Sequence, residues 1–369
     1  MRVRRYLFGC FLFGIAIGCG AEEAPVPAFP EELSATLENI AVSEFANVGA
    51  HGATVRVVMP NGDTWETALG LAYTEPDITA EPDDRFRIGS ITKTFNAAVV
   101  LQLAEEGLLS LDDALDDWVP GFDLGPEVTI RHLLSHTAGV FNYTDDPGFL
   151  EQPATEPEGV IEFALEQGPV FAAGESMSYS NTGYFLTGLV IEAATGLTFH
   201  EAVRVRLLEP LDLQATYLDG YESHPIGRVD GHVLRHKMEK VIPDFSMSWA
   251  WAAGGMVSNV ADLCTWGRVL IRPESEEDAV LSKDSRDRMQ HPAITPYGEP
   301  GTYSTGLTHT QRAERDVMGH TGSTMGFKGE MFVDRETGAC VAISTNDFLS
   351  TPLDLSHAIW GALDAYFAE

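Results

Sequence analysis

A serine and a lysine three positions apart, Ser90 and Lys93, are the residues whose types and spacing best suit covalent catalysis. Residues three apart on a helix share a face, so the lysine amine can reach the serine hydroxyl. A lysine one turn into a buried helix is desolvated, which lowers its pKa and allows it to act as a base. Unpaired N–H groups at the helix start suit an oxyanion. The pair therefore predicts a serine nucleophile with its own base.

A tyrosine and an asparagine in the motif Tyr179-Ser180-Asn181 extend this acid–base chemistry. The motif lies where a loop leads into a helix pattern. The tyrosine hydroxyl can shuttle a proton to a leaving group, and the asparagine amide can hydrogen-bond a substrate amide. Taken alone, such a motif is more often a capped helix start. However, Tyr-x-Asn occurs once in the chain, and of the five lysines only Lys93 has a serine three positions before it.

A third motif, His320-Thr321-Gly322-Ser323, lies between two strand patterns. Gly322 allows substrate to lie close to the backbone, and the N–H of Ser323 can be a second oxyanion donor. The alternative explanation is an ordinary turn. The order of the three motifs, at a helix start, in a helical block and in a late strand region, favours one shared site.

The three motifs resemble those of the penicillin-recognising serine hydrolases, the family of serine β-lactamases and penicillin-binding proteins, which carry Ser-x-x-Lys, Ser-Asp-Asn and Lys-Thr-Gly. The tyrosine and histidine variants are similar to the branch with class C β-lactamases, related esterases and Streptomyces-type D-alanyl-D-alanine carboxypeptidases, peptidase family S12. The likeness extends from about Leu33 to the end of the chain. It implies a β-lactamase/transpeptidase-like fold.

The resemblance also implies a role for each motif residue. Ser90 would form an acyl-enzyme, and Lys93 and Tyr179 would share the general-base and general-acid work. Which of the two takes the serine proton is left open. Backbone N–H groups of Ser90 and Ser323 would form the oxyanion hole. The residues implied to bind or border the substrate are Asn181, Trp249, His320, Thr321 and Gly322.

The substrate class follows from the same resemblance. D-Ala-D-Ala peptides, or related D-amino-acid peptides of the cell envelope, rank first, esters second and β-lactams third, with β-lactams also expected as acylating ligands. In the carboxypeptidases an arginine after the Tyr-x-x-Gly-Leu strand helps to hold the terminal carboxylate, but here Thr308 takes its place. Arg312 and Arg315 are candidate replacements. Without this charge, esterase or amidase activity is an alternative to carboxypeptidase activity.

A hypothesis of a different class is a penicillin-binding or sensor lipoprotein that is acylated without turnover. The presence of a nucleophile, a base and a tyrosine argues against it, because a binder does not need all three.

The surrounding elements indicate how these motifs are positioned. Their order is helix, strands, a long helical block, strands and helix, which predicts an α+β fold: an antiparallel sheet flanked by N- and C-terminal helices, with a large helical subdomain inserted. The hydrolase domain is expected at 31–369, with its α/β part at about 31–90 and 255–369 and the helical insertion at about 91–254. The clearest patterns are helices at 33–48, 184–194 and 353–367, and strands at 53–59, 64–73, 302–307, 316–319, 328–333 and 339–344.

The N-terminus reads as a targeting segment. Basic residues precede an apolar run at 6–17 that is too short to span a bilayer. Ala16-Ile17-Gly18-Cys19 is similar to a bacterial lipoprotein cleavage box. We therefore expect a signal peptide at 1–18, a lipid anchor on Cys19, a flexible tether at 19–30 and export to the cell envelope. An ordinary secretory signal with an incidental cysteine is the alternative.

Charge and composition limit the partners. The formal net charge of −32 argues against nucleic acid and against anionic membrane surfaces, apart from the lipid anchor. Cys264 and Cys340 have apolar neighbours, so we expect buried thiols rather than a disulfide. His232 and His236 are four apart but have no carboxylate or cysteine cluster nearby. We expect them to face solvent, and we predict neither a metal nor an organic cofactor.

Overall fold

The computed structural model describes residues 29–122, 124–125, 127–146, 157–222, 227–235, 238–242, 246–277, 279–291 and 302–368. The predicted signal peptide, Cys19 and most of the tether lie outside these residues. The helices are α1 Glu31–Val48, α2 Thr92–Glu105, α3 Ile130–Leu134, α4 Pro157–Glu166, α5 Asn181–Thr195, α6 Phe199–Val203, α7 Trp251–Gly254, α8 Val260–Ile271, α9 Lys283–Gln290 and α10 Leu353–Phe367.

The strands form one large sheet and two small ones. Eight strands pair antiparallel in the order β3-β2-β1-β13-β12-β11-β10-β9, while β4-β8-β5 and the hairpin β6-β7 stand apart. The strands are β1 Gly52–Val58, β2 Thr64–Thr74, β3 Asp77–Thr79, β4 Phe86–Arg87, β5 Tyr217–Leu218, β6 Gly231–Arg235, β7 Met238–Ile242, β8 Met256–Ser258, β9 Thr302–Tyr303, β10 Thr308–Arg312, β11 Arg315–Thr324, β12 Phe327–Asp334 and β13 Cys340–Thr345.

The terminal helices α1 and α10 cover one face of the large sheet. Their apolar stripes meet the inward-facing residues of the central strands, because side chains alternate between the faces of a strand. The buried residues of this layer include Leu37, Val55, Ile343, Trp360 and Leu363. The sheet and its two terminal helices confirm the α+β class predicted from the sequence.

The opposite face of the sheet packs on α8 and on the helical part of the chain. Helix α2 is at the centre of this second core, with eleven of its fourteen residues buried, because α5, α6 and α7 pack around it. The Asn96 side chain ties these helices together by donating to the carbonyl oxygens of Tyr184, at 3.1 Å, and Ala252, at 3.2 Å. Helix α2 is therefore rigidly held at the junction of the sheet and the helices.

The region after residue 301 differs from the sequence prediction. The prediction of a single strand at 302–307 is wrong, because the strand ends at Tyr303. A turn follows, in which Gly306 adopts a positive φ of 79°. The chain then forms β10, whose polar residues gave no apolar alternation to recognise. The motif that begins at His320 was expected between strands, but β11 runs through it to Thr324.

The helical block also contains strands that the sequence did not predict. Strand β5 pairs with β8, and β6 pairs with β7 as a hairpin. His232, in β6, was expected to face solvent, as was His236, which lies outside the described residues. His232 is instead buried and stacks on His51, with 3.9 Å between ring centroids. The expectation failed because it considered only neighbours in sequence.

No helix of the described ranges is long and apolar enough to span a bilayer, and no three metal-ligating side chains within them form a candidate cluster. Cys264 and Cys340 are buried and carry no disulfide, as the sequence pattern indicates.

The layer of α1 and α10 provides a stability test. Trp360→Ala is expected to lower the free energy of unfolding by about 3–5 kcal/mol, because it removes a fully buried aromatic side chain from this core. Tyr366→Ala, on the same helix but 39% exposed, should cost less than about 1 kcal/mol. Urea denaturation measures both values. Similar losses for the two variants would contradict the packing described.

Candidate active site

Ser90 lies in a 3₁₀ turn, Gly89–Ile91, that leads from β4 into α2. Gly89 has a positive φ of 49°, and a Cβ added there would lie 2.7 Å from the backbone nitrogen of Ser323. Only glycine meets both conditions without strain. The glycine thus allows β11 to pass directly beside the serine. The turn also agrees with the helix start predicted near Ser90.

Lys93 is completely buried, one turn after Ser90. Its Nζ lies 3.0 Å from Ser90 Oγ, 2.6 Å from Asn181 Oδ1 and 2.6 Å from the carbonyl oxygen of Ala253. Burial lowers the pKa of Lys93 well below its ordinary value. Among the described groups, no carboxylate forms an ion pair with this amine that could offset the desolvation.

The two short contacts of Lys93 determine the direction of its lone pair. The oxygens of Asn181 and Ala253 are carbonyl oxygens and can only accept, so both must receive an N–H of the lysine. A neutral amine has two hydrogens and one lone pair. The lone pair then points to Ser90 Oγ, where it can accept the hydroxyl proton.

Tyr179 approaches the nucleophile from the other side. Its hydroxyl donates to Ser90 Oγ at 2.8 Å. A buried histidine that the sequence analysis did not assign, His136, holds this tyrosine by ring packing at 4.3 Å between centroids. Nδ1 of His136 accepts the N–H of Ser180 at 3.1 Å, and burial lowers the pKa of His136 well below its ordinary value. Neutral His136 therefore fixes the backbone beside Tyr179 as well as its ring.

A second residue missed from the sequence, Thr144, orients Asn181. Nδ2 of Asn181 donates to Thr144 Oγ1 at 3.0 Å, and the backbone N–H of Asn181 donates to Asn142 Oδ1 at 3.0 Å. These contacts place Oδ1 of Asn181 against Lys93. One hydrogen of Nδ2 is left for a substrate carbonyl. The 3₁₀ turn Tyr143–Asp145 thus positions the start of α5.

The pairing register shows where the backbone groups of Ser323 point. The carbonyl of Asp316 accepts the N–H of Arg335, just after β12, at 3.1 Å. Alternate residues of an antiparallel strand point their N–H and C=O groups to opposite edges, so those of Ser323 point away from β12. Strand β10 begins with Thr308 opposite Gly319, which leaves this edge of β11 open. The N–H of Ser323 therefore faces the turn that carries Ser90.

His320 cannot supply positive charge to the site. It is buried, its Nδ1 donates to the carbonyl oxygen of Thr321 at 2.5 Å, and burial together with Lys93 lowers its pKa to about 3. The side chain of Thr321 alternates to the other face of β11 and is exposed. Gly322 lies against Ile88, whose carbonyl oxygen would be 1.9 Å from an added Cβ.

The cleft in front of Ser90 has a volume of about 140 Å³. Three residues named from the sequence besides Ser90 border it, namely Asn181, Trp249 and Ser323; His320, Thr321 and Gly322 do not. The full lining comprises Ser90, Tyr143, Thr144, Asn181, Trp249, Ala250, Ala253, Gly254, Ser323, Thr324, Met325 and Phe348.

The two arginines considered as replacements at the Thr308 position are engaged elsewhere. Arg312 bonds to Glu330 at 3.2 Å. Arg315 bonds to Asp364 at 2.5 Å and to Asp334 at 3.1 Å. Neither borders the cleft. The charge expected for a substrate carboxylate is thus absent from the described lining.

Comparison with known proteins identifies the family. The family model described as Beta-lactamase matches residues 40–365, and the chain belongs to this family of serine hydrolases. It is 26% identical over 264 residues to penicillin-binding protein 4* of Bacillus subtilis, a match that spans 67% of this chain and 57% of that relative. The matched region is therefore little more than half of the relative's length.

Two solved structures match nearly the whole chain. The D-stereospecific amidohydrolase of a Streptomyces species is 31% identical, with a TM-score of 0.77, covering 90% of this chain and 98% of the other. The D-amino acid amidase of Ochrobactrum anthropi SV3, in complex with D-phenylalanine, is 25% identical with a TM-score of 0.81, covering 91% and 100%.

The role of Thr144 can be tested with an isosteric variant. Thr144→Val removes the acceptor that orients Asn181, so the amide can rotate and draw the lone pair of Lys93 away from Ser90. We expect kcat to fall about tenfold, which corresponds to the loss of one hydrogen bond. Thr144→Ser retains the acceptor and should restore kcat. Steady-state kinetics on an activated amide measures kcat for both variants. Equal kcat values for Thr144→Val and the wild-type protein would show that Thr144 does not orient Asn181.

Proposed function

We propose that the protein is an amidohydrolase that forms an acyl-enzyme at Ser90 with D-configured acyl donors. The observation that carries the proposal is that two groups lie within hydrogen-bond distance of Ser90 Oγ: Lys93 Nζ at 3.0 Å and the Tyr179 hydroxyl at 2.8 Å. The two structural neighbours described above are a D-stereospecific amidohydrolase and a D-amino acid amidase, which supports the choice of substrate.

In the first step Lys93 serves as the base. Neutral Lys93 takes the proton of the Ser90 hydroxyl as Oγ attacks the carbonyl carbon. The N–H groups of Ser90 and Ser323 bind the oxyanion, each typically worth about 3–4 kcal/mol. The two carbonyl acceptors of Lys93 favour this assignment, because they direct its lone pair to Ser90 Oγ.

In the second step Tyr179 serves as the acid. It gives its proton to the leaving nitrogen as the C–N bond breaks. The resulting phenolate and the Lys93 ammonium then exchange a proton, which restores both groups. Water attacks the acyl carbon in the reverse sense and releases the acid, so one water is consumed in each cycle.

The leaving group is proposed to be uncharged. Tyr179 contacts Ser90 on the side toward β9, with 6.0 Å between its ring centroid and that of Tyr303. On this side His320 is neutral, Thr308 carries no charge and Arg312 is engaged with Glu330. A terminal carboxylate on the leaving group therefore lacks a cation. Amides and esters rank above the D-Ala-D-Ala peptides that the sequence alone placed first.

Export and anchoring are proposed from the N-terminal sequence. The basic residues, the apolar run and Cys19 support a lipoprotein signal. The enzyme would then act in the cell envelope, where D-amino acids and β-lactams are encountered. A penicillin-binding sensor without turnover remains the competing hypothesis of another class.

A substrate panel tests the proposal. We expect release of ammonia from D-phenylalanine amide and of p-nitrophenol from short esters, with less release of D-alanine from a D-Ala-D-Ala peptide. Intact-mass spectrometry with a β-lactam should show an adduct on the wild-type protein but not on Ser90→Ala. An adduct that persists in Ser90→Ala would show that Ser90 is not the nucleophile. Acylation without any turnover would favour the sensor.

A further inference from the structure

One cation near the cleft has no part in the chemistry proposed so far. Lys328, in β12, is half-buried and, among the residues that the structure describes, takes part in no ion pair. By contrast, Lys283 pairs with Asp287 at 2.6 Å. The ammonium of Lys328 lies over the ring of Phe348, 5.9 Å from its centroid, and Phe348 borders the cleft.

Lys328 lies at the end of the cleft opposite to the leaving group. It pairs with Ser323 across the two strands, whereas Thr308 pairs with Gly319. Ser323 is four residues after Gly319 in the extended strand β11, so Lys328 and Thr308 lie about 13 Å apart along the strand direction. Since the leaving group departs toward Tyr179 and Tyr303, the acyl group must extend past Ser323 in the direction of Lys328.

The wall at this acyl end is apolar. Trp249, Met325 and Phe348 are large apolar side chains of the cleft lining, and Phe348 lies beside Lys328; no carboxylate is among the described lining residues. An apolar acyl body can pack against these side chains. A negatively charged group at its far end would then reach the ammonium at the rim.

We propose that Lys328 is a specificity-determining residue that selects acyl donors with a carboxylate beyond an apolar body. The inference rests on the proposed function, because it takes the direction of the acyl group from the role of Tyr179. The carboxylate would pair with the Lys328 ammonium over the ring of Phe348. This local cation also offsets the field of a chain with a net charge of −32, which otherwise repels anionic substrates.

The test compares two substrates of equal size. One is N-succinyl-D-phenylalanine p-nitroanilide, and the other is its neutral isostere, in which a carboxamide replaces the succinyl carboxylate. We expect the wild-type protein to favour the anionic substrate about fivefold in kcat/KM, as for one partly screened ion pair. The preference should shrink as NaCl is raised from about 0.05 M to about 1 M.

Variants distinguish a local effect of the Lys328 charge on substrate preference from an effect of the net charge of the protein. In Lys328→Met the ratio of the two kcat/KM values should fall to about 1, whereas Lys328→Arg should retain the preference. Lys283→Met removes the same charge from α9, outside the cleft lining, and should keep both the activity and the ratio of the wild-type protein. A β-lactam adduct on Ser90 shows that each variant is folded.

The outcomes distinguish this inference from the proposed function. Turnover of both substrates with a ratio of 1 in the wild-type protein, or a preference that persists in Lys328→Met, overturns the role of Lys328 alone. No turnover of either substrate, together with no acylation of Ser90, overturns the proposed function, and the role of Lys328 falls with it.

Discussion

Lys93 is completely buried, and its amine lies among three oxygen atoms of which two can only accept hydrogen bonds. Desolvation disfavours the ammonium form, and the two carbonyl acceptors leave the lone pair of the neutral form no target but Ser90. The rest of the fold maintains this arrangement. Helices α5 and α7 supply the two acceptors, and Asn96 ties both helices to α2.

The sheet imposes a second constraint on the same site. Strand β11 passes close enough to the Ser90 turn that neither Gly89 nor Gly322 can carry a Cβ without a shift of the backbone. This close approach brings the N–H of Ser323 to the nucleophile. In the proposed mechanism the leaving group lies on the Tyr303 side of Ser90 and the acyl group on the Phe348 side. The sheet therefore determines where the N–H group of Ser323 lies relative to Ser90.

Features that depend on local spacing could be predicted from the sequence. The contact of Ser90 with Lys93 follows from helical geometry, and the final helix, predicted at 353–367, has these bounds in the structure. Strand β10 was missed because its residues are polar and show no alternation. Thr144 and His136 could not be assigned, since their roles depend on contacts with Asn181 and Tyr179, 37 and more residues away along the chain. The sequence signal for His136 is its position in the stretch from Leu133 to Gly139, which is similar to the same family.

The protonation state of Lys93 in the free enzyme decides whether this residue can act as the base, and NMR of protein labelled with ¹³C and ¹⁵N at lysine measures it directly. The chain has only five lysines, and the signal lost in Lys93→Gln identifies the one in question. We expect this amine to gain its proton only as the pH falls through a pKa well below the usual value of about 10.4. Titration of Lys93 near that usual value would contradict its role as the base.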